Sequence, residues 1–210
     1  CVGVRGTAYL AHDVEGLAFD AVECPSYEDV CARKADYARS VKTQYDEQDH
    51  VRGRAILQRH GRRVMIQNPP SLPLTTTEMD HVYALPYMRA YHPSYETLGG
   101  VPAIQEVQFS IIHNRGCFGA CNFCALTMHQ GRFVTSRSHQ SVIKEARRMT
   151  ENPRFKGYIH DVGGPTANFR HPSCKGQLTR GLCKNKQCLA PAPCPAMKAD
   201  HSEYLHLLRR

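Results

Sequence analysis

The chain has 210 residues, of which 41% are hydrophobic and 22% are charged. This is the composition of an ordinary globular protein, which excludes a disordered or collagen-like chain, and the length allows one domain with its own core. Lys and Arg outnumber Asp and Glu by 27 to 19, a net charge of +8, so an anionic partner is plausible. No apolar run approaches the eighteen or so residues that a membrane-spanning helix needs. We therefore predict no contact with a membrane.

The ten cysteines are unevenly distributed, with seven of them between Cys117 and Cys194. Such clustering favours metal ligands over disulfides, because a secreted disulfide framework is normally shorter and follows a signal peptide. The N-terminus has no apolar region of the signal-peptide kind. These features predict a reducing, cytoplasmic location. Because the sequence opens on Cys1 without Met and closes inside a helical pattern, we expect a truncated chain.

Residues 1–105 are predicted to be mostly helical, with one or two exposed helices after Ser26 and a short strand at 64–66. A proline-rich strut follows at 68–73, where proline fixes its own φ angle and keeps the preceding residue out of the helical region. Thr75 and Glu78 then fit a capping box, in which each side chain accepts a free backbone N–H of the other residue. A short helix is expected to begin there.

Residues 106–172 are predicted to form one βαβ unit. The β-branched and aromatic run 107–112 indicates a strand, and Ser138 is a good N-cap for a helix with an apolar stripe that includes Val142, Ala146 and Met149. A second strand is expected at 157–162. Such a crossover implies a parallel sheet, whose ligand sites lie at the carboxyl ends of the strands. Two further segments are predicted after this unit: a cysteine-rich basic segment at 173–200 and the start of another helix at 201–210.

Three cysteines follow the first predicted strand with the spacing C-x3-C-x2-C. Cys117, Cys121 and Cys124 lie within eight residues, so their thiolates are expected to converge on one centre. Zinc would need a fourth ligand, which His113 or His129 could supply, whereas a four-iron cluster can be held by three thiolates with one iron left open. Both centres stay open on this spacing alone.

The run RGCFGACNFCAL, with the aromatic Phe123 before its last cysteine, resembles the signature of the radical S-adenosylmethionine enzymes. The segments NPPSLPLTTTEMDHVYALP, SRSHQSVIKEARRM and DVGGPTANFRHPSC are similar to the YgiQ-like group of that superfamily. The resemblance covers roughly residues 60–208, and residues 1–50 are expected to contribute little to it. It implies an α/β fold, a truncated partial (βα) barrel with an N-terminal helical region and a cysteine-rich insertion.

The resemblance also implies a site. Cys117, Cys121 and Cys124 would hold a [4Fe-4S] cluster, and S-adenosylmethionine would chelate its open iron and be cleaved to a deoxyadenosyl radical. Phe123 would contact the cofactor, and Gly163 and Gly164 stand where the superfamily has a Gly-Gly-Glu type segment. Pro165 and Thr166 replace the Glu, so backbone carbonyls and the Thr166 hydroxyl are the expected contacts. An electron donor such as flavodoxin or ferredoxin is implied, the substrate is unknown, and the truncated chain is expected to turn over poorly.

The second cysteine group has the spacing C-x8-C-x4-C-x5-C and consists of Cys174, Cys183, Cys188 and Cys194. Its surroundings are poor in apolar residues and rich in Gly and Pro, which predicts a segment that folds around metal. Four thiolates suit either zinc or a second iron–sulfur cluster, and the lack of a C-x2-C pair favours the cluster slightly. Free thiols or disulfides are the simpler alternative.

Basic residues surround this group, with no acidic residue between Asp161 and Asp200. They are Arg170, Lys175, Arg180, Lys184, Lys186 and Lys198. Contact with RNA phosphates is one interpretation, but charge compensation for thiolates is favoured because no aromatic stacking platform accompanies them. The rival function is therefore a non-enzymatic zinc-binding module that binds nucleic acid through this segment.

Overall fold

The computed structural model describes residues 1–165 and 167–210. In chain order, the secondary structure elements of these residues are β1 (Ala8–Ala11), β2 (Ala21–Glu23), α1 (Tyr27–Ala32), α2 (Lys34–Asp46), β3 (Ala55–His60), β4 (Arg63–Gln67), α3 (Thr76–Tyr83), a 3₁₀ helix (Pro93–Leu98), α4 (Ile104–Val107), β5 (Ser110–Ile112), β6 (Asn114–Arg115), α5 (Leu126–Gln130), β7 (Thr135–Ser136), α6 (His139–Thr150), β8 (Asp161–Gly163), α7 (Lys175–Arg180) and α8 (Ser202–Leu208).

The chain forms two compact units, each assembled from three stretches of sequence. The first unit comprises Cys1–Pro73, Phe118–Phe133 and Ser173–Met197, and the second comprises Leu74–Cys117, Val134–Pro172 and Lys198–Arg210.

The first unit is built on a four-stranded sheet in the order β1-β4-β3-β2. Strands β3 and β4 form an antiparallel hairpin whose turn contains Gly61 at a φ of +56°, a conformation that glycine adopts without strain. Strand β1 pairs with β4 antiparallel and β2 pairs with β3 parallel. Val64 and Ile66 alternate inward along β4 and are buried. The predicted helices after Ser26 are present as α1 and α2, and the strand at 64–66 is confirmed within β4, but the prediction missed the rest of the four-stranded sheet.

The second unit contains the predicted βαβ crossover. Strands β5 and β8 pair in parallel, with Ile112 opposite Gly163, and α6 connects them. Ser138 caps α6 by accepting the Ser141 N–H across 3.0 Å. Val142 and Met149 of α6 are buried in the core of this unit, together with Phe109, Ile111 and Leu207. The parallel pair and its helix are confirmed.

Two strand boundaries differ from the prediction because local helical and turn structure competes at the strand ends. Strand β5 begins at Ser110, since Ile104–Val107 forms the short helix α4. Strand β8 begins at Asp161 and not at 157. The capping box is confirmed: the Thr75 N–H donates to Glu78 Oε2 across 2.8 Å and the Glu78 N–H donates to Thr75 Oγ1 across 3.2 Å.

These observations confirm a mixed α/β protein. Its sheets are small, and the strands of the described residues do not close into a barrel. Within residues 1–165 and 167–210, no helix has both the length and the apolar character required to cross a bilayer.

Candidate metal centre and its surroundings

The C-x3-C-x2-C run lies on the loop that follows β5 and β6. Cys117 and Cys124 are half-buried and Cys121 is exposed. The loop bends at Ala120, whose φ is +50°, and the Cys124 N–H donates to the Cys121 carbonyl across 3.0 Å. The ring of Phe123 is 92% exposed. The thiols are therefore presented on a curved backbone whose aromatic side chain projects into solvent.

No disulfide joins any of the ten cysteines where the chain is described. In the same residues, no three His, Cys, Asp or Glu side chains are gathered closely enough to hold a metal ion. The three thiols thus have the donor chemistry of a soft metal site, but their side chains are not yet arranged around one point.

A cavity of about 1070 Å³ in the first unit opens beside Cys121 and Cys124. Lys42 and Tyr45 of α2 line it, as do Met128 of α5 and the segment from Lys184 to Pro195. Two thiols of the run, those of Cys121 and Cys124, therefore face this space.

Gly163 and Gly164 lie at the carboxyl end of β8, where a parallel sheet offers ligand sites. Gly163 is buried, and its carbonyl accepts the His113 N–H across 2.8 Å, whereas Gly164 is exposed. A Cβ built on Gly164 would overlap Asn114 Oδ1 and lie 3.0 Å from the backbone oxygen of Asn114. No other residue type fits there without movement. Thr166, the other predicted contact, lies outside the described residues.

Asn114 is a residue that the sequence interpretation missed. Its side chain is fully buried, and neither Oδ1 nor Nδ2 has a hydrogen-bond partner among the described residues. Buried amides are almost always paired, so an unused donor and acceptor beside an exposed glycine backbone indicates a place for a polar ligand.

His113 is fully buried, and both of its ring nitrogens are engaged. Arg170 Nη1 donates to Nδ1 across 3.1 Å, which places the ring proton on Nε2, 3.4 Å from Asn168 Oδ1. The ring also stacks on Tyr204 with centroids 4.8 Å apart. Burial and the nearby Arg170 lower the pKa of His113 to about 4. His113 is therefore neutral and positions the loop after Gly164, and it has no ring nitrogen left to ligate zinc.

Arg170 is buried and does not belong to a basic surface. Its Nη2 donates to the Arg137 carbonyl across 2.6 Å and its Nε lies 3.4 Å from a Glu203 oxygen. Lys184 is likewise occupied, with its Nζ 3.1 Å from Glu47. Two of the six basic residues considered for RNA contact thus serve internal ion pairs.

The second cysteine group lies in the first unit. Cys174, Cys188 and Cys194 are half-buried and Cys183 is exposed. Burial raises the pKa of the Cys188 thiol, and the neighbouring thiols of Cys174 and Cys183 add to this rise. Two contacts act in the opposite direction and lower the pKa: the hydrogen bond from the Cys188 thiol to Ser173 Oγ at 3.2 Å and the positive charge of Arg132. Backbone N–H groups of Ala196 and Met197 and the side chain of Lys186 lower the pKa of Cys194. The net result for Cys188 is a raised pKa, with burial as its main cause.

Residues 47–49, directly after α2, hold this cysteine-rich segment in place, a role that sequence patterns did not indicate. Asp49 accepts the Leu182 N–H across 3.0 Å, and Glu47 binds Lys184. Gln48 Nε2 donates to the Met128 carbonyl across 2.9 Å. Each of these contacts joins residues more than seventy positions apart, so only the folded chain reveals them.

Comparison with known proteins supplies a family. The family model described as "Radical SAM N-terminal" matches residues 1–110. A UPF0313 protein of Clostridium botulinum (strain ATCC 19397 / Type A) is 56% identical over 207 residues, which is 99% of this chain and 32% of that protein. A UPF0313 protein of Clostridium perfringens (strain SM101 / Type A) is 53% identical over 207 residues, 99% of this chain and 31% of that protein.

The chain spans about a third of the length of these curated relatives. No solved structure matches it. The expectation that residues 1–50 contribute little to the family resemblance is wrong, because the family model begins at residue 1.

Proposed function

The chain belongs to the radical S-adenosylmethionine superfamily, in the UPF0313 group, and from this we propose that it is the cofactor-binding part of an enzyme. The proposed enzyme cleaves S-adenosylmethionine reductively and uses the 5′-deoxyadenosyl radical to remove a hydrogen atom from its substrate. A [4Fe-4S] cluster would supply the electron for this cleavage, delivered to it by a donor of the flavodoxin or ferredoxin kind.

One observation carries the proposal: the three-cysteine run follows β5 and β6, and the parallel partner β8 is followed by an exposed glycine, Gly164, which lies against the unpaired, buried amide of Asn114. Three thiolates are the donor set that leaves one iron of a four-iron cluster open. The Asn114 amide offers one donor and one acceptor group, which matches an amino acid that carries both a carboxylate and an amine.

The chain's own residues would have separate tasks. Cys117, Cys121 and Cys124 would hold the cluster as thiolates. Asn114, the backbone of Gly163 and Gly164, and Thr166 would bind the amino acid end of S-adenosylmethionine, and Phe123 would contact the cofactor, as the family resemblance implies. His113 would be a positioning residue that does not touch the cofactor. Its neutral ring contacts Asn168 and Arg170, and its backbone N–H donates to the Gly163 carbonyl.

We also propose that β5, α6 and β8 are the first unit of a partial (βα) barrel. Two paired strands leave the cofactor few walls, so the 210-residue chain should bind the cluster but turn over slowly. The test is 5′-deoxyadenosine release per cluster, compared with that of a full-length relative loaded in parallel. Equal rates for the two proteins would contradict the partial barrel.

The function itself is tested by metal analysis and electron paramagnetic resonance. The chain is purified anaerobically, reconstituted with iron and sulfide, and its iron, sulfide and zinc are counted. The reduced protein should show a cluster signal that shifts when S-adenosylmethionine is added. Cys121→Ala should lose about four irons and the shift, whereas Cys31→Ala, which removes an exposed thiol of α1, should lose neither.

The rival function predicts a different result. A non-enzymatic module would contain zinc at Cys117, Cys121 and Cys124, would give no signal on reduction and would not respond to S-adenosylmethionine. His113 cannot supply the fourth ligand of such a site while both of its ring nitrogens are engaged. Zinc in place of iron after reconstitution would therefore overturn the proposed enzyme.

A further inference from the structure

Helix α2 buries polar residues and leaves an apolar face open. Its buried residues are Asp36 and Ser40, whereas Val41 is 37% exposed. This is the reverse of an ordinary amphipathic helix, whose apolar stripe faces the protein core. The residues that α2 contributes to the cavity of about 1070 Å³ are Ala38, Val41, Lys42 and Tyr45. Residues with this spacing share one face of a helix, so α2 turns its apolar side toward the cavity.

Other segments of the first unit complete the apolar lining. They include Met128 of α5 and three prolines, Pro191, Pro193 and Pro195. Proline fixes its own φ angle, so this wall loses little freedom when a ligand binds. Tyr45 is also held in place, because its hydroxyl accepts a hydrogen bond from Nη1 of the buried Arg132 across 3.0 Å. Uncovered apolar surface in a preformed cavity indicates a ligand site.

The charged groups of the lining are all positive. They are Lys42, Lys184 and Lys186, and no Asp or Glu lines the cavity among the described residues. Lys42 forms an ion pair with Asp46. Lys184 Nζ lies 3.1 Å from Glu47 Oε1. Because Asp46 and Glu47 do not themselves line the cavity, the charges of these two lysines are balanced from outside it.

Lys186 is the lysine of the lining whose charge is not balanced in this way. It is exposed, and in the described part of the chain it forms no ion pair with a carboxylate. Its side chain contacts the Cys194 thiol, and sulfur is only a weak hydrogen-bond acceptor. One positive charge is therefore available to a ligand in an otherwise largely apolar cavity.

We propose that this cavity binds a small molecule with an apolar body and one anionic group, such as a carboxylate or a sulfonate, and that Lys186 receives the anion. The open face of α2 and the proline-rich wall bind the apolar body. The amides of Asn122, Asn185 and Gln187 also line the cavity and supply further hydrogen-bond donors. The volume is at the upper end for small-molecule pockets, which are about 300–1,000 Å³.

This ligand site is separate from the proposed cofactor contacts, because neither Asn114 nor Gly164 lines it. Cys121 and Cys124 border it, so a bound ligand would lie beside the proposed cluster. The groups that recognise the ligand belong to the protein alone. Binding is therefore expected both with and without the cluster.

The test compares two fluorescent probes that share the same rings and differ by one sulfonate: 1-anilinonaphthalene-8-sulfonate and the neutral N-phenyl-1-naphthylamine. The complete metal-free chain is titrated with each probe, and the iron-reconstituted chain is examined by equilibrium dialysis. Lys186→Met should weaken binding of the sulfonate about tenfold and leave the neutral probe unchanged, because a hydrogen bond between charged groups is lost. Lys186→Arg should retain the sulfonate, and Lys175→Met, which removes an exposed lysine of α7, is the matched control.

The apolar face is tested by Val41→Gln, which should weaken both probes about threefold to tenfold because apolar contact is lost. Tyr37→Gln changes another exposed residue of α2 that does not line the cavity, and it should leave both affinities unchanged. Circular dichroism checks that each variant is folded.

Three results would each overturn the proposal. They are equal effects of Lys186→Met on the two probes, unchanged binding in Val41→Gln, and loss of the Lys186-dependent binding when the cluster is loaded, since the lysine would then serve only the cluster. A chain that shows the expected probe binding but takes up no iron would contradict the proposed enzyme and leave this ligand site intact.

Discussion

The exposed backbone of Gly164 lies directly against the buried side chain of Asn114, and the space of the missing Cβ is filled by Asn114 Oδ1. The glycine at the end of β8 is thus required by a neighbour within the protein. The side-chain amide of Asn114 has no hydrogen-bond partner among the described residues. The carboxyl end of the parallel strand pair is therefore closely packed and also carries an unpaired polar group.

Gly164→Ala should destabilise the chain by about 1–3 kcal/mol, because the added methyl group must displace a buried side chain and lies 3.0 Å from a backbone oxygen. Gly163→Ala is the matched control. Its Cβ would come 2.5 Å from an oxygen of Asp161, an exposed side chain that can rotate away. Urea unfolding of both variants checks this expectation. An equal loss of unfolding free energy in both variants would mean that the buried Asn114 side chain moves aside as easily as the exposed Asp161 side chain.

Asn114→Leu separates stability from ligand binding. Replacing an unpaired buried amide by an apolar group of similar shape should leave the metal-free chain as stable as before, or more stable by about 1 kcal/mol. Binding of S-adenosylmethionine to the cluster-loaded chain, measured by equilibrium dialysis, should weaken about tenfold or more, because a hydrogen bond to a charged group is lost.

The control for Asn114 is Asn68, which is also buried but whose Nδ2 donates to Cys1 O at 3.0 Å and to Val4 O at 2.9 Å. Asn68→Leu should destabilise the chain by about 1–3 kcal/mol, since it leaves carbonyls unpaired. Unchanged affinity for S-adenosylmethionine in Asn114→Leu would remove Asn114 from the proposed cofactor site.

Protonation of His113 should make the protein less stable as the pH falls. Burial lowers its pKa to about 4 in the folded chain, while an unfolded histidine titrates near 6.5, so the unfolded state binds the proton first. The window is about pH 6.5 to 4. Between pH 7 and pH 5 the free energy of unfolding of the wild type should fall by about 2 kcal/mol more than that of His113→Asn. His12→Asn, at an exposed position, should behave like the wild type in urea unfolding.

Glu47 should contribute to stability at neutral pH and lose that contribution in acid. Burial alone would raise its pKa, but hydrogen bonds from Arg54 and from Lys184 lower it to about 2, below the usual 4.5. Its contribution is full above about pH 4.5 and falls as the pH approaches 2. Between pH 7 and pH 3, the free energy of unfolding of Glu47→Gln should fall by about 2 kcal/mol less than that of the wild type. The same slope in both proteins would contradict this assignment, and Glu15→Gln, at an exposed position, is the control.

Local patterns predicted the elements whose signals lie within a few residues. The Thr75–Glu78 capping box, the Ser138 cap and the parallel βαβ unit are confirmed, because a hydrogen-bonding cap and an apolar stripe depend on neighbouring positions. The N-terminal sheet was missed because β1 and β2 are only four and three residues long, and most of their residues are exposed or half-buried. Such strands have too little periodicity to be distinguished from loops.

Residue types and their spacing established the donor chemistry: ten thiols and the glycines that a ligand can approach. They also carried the resemblance that the family match later confirmed. The surroundings of these groups became visible in the folded chain alone, such as the neutral ring of His113 beside Arg170, the unpaired amide of Asn114 and the buried guanidinium of Arg132. The reason is physical: burial and pairing arise between residues that are distant in the chain, and they set charge states that residue type alone does not specify.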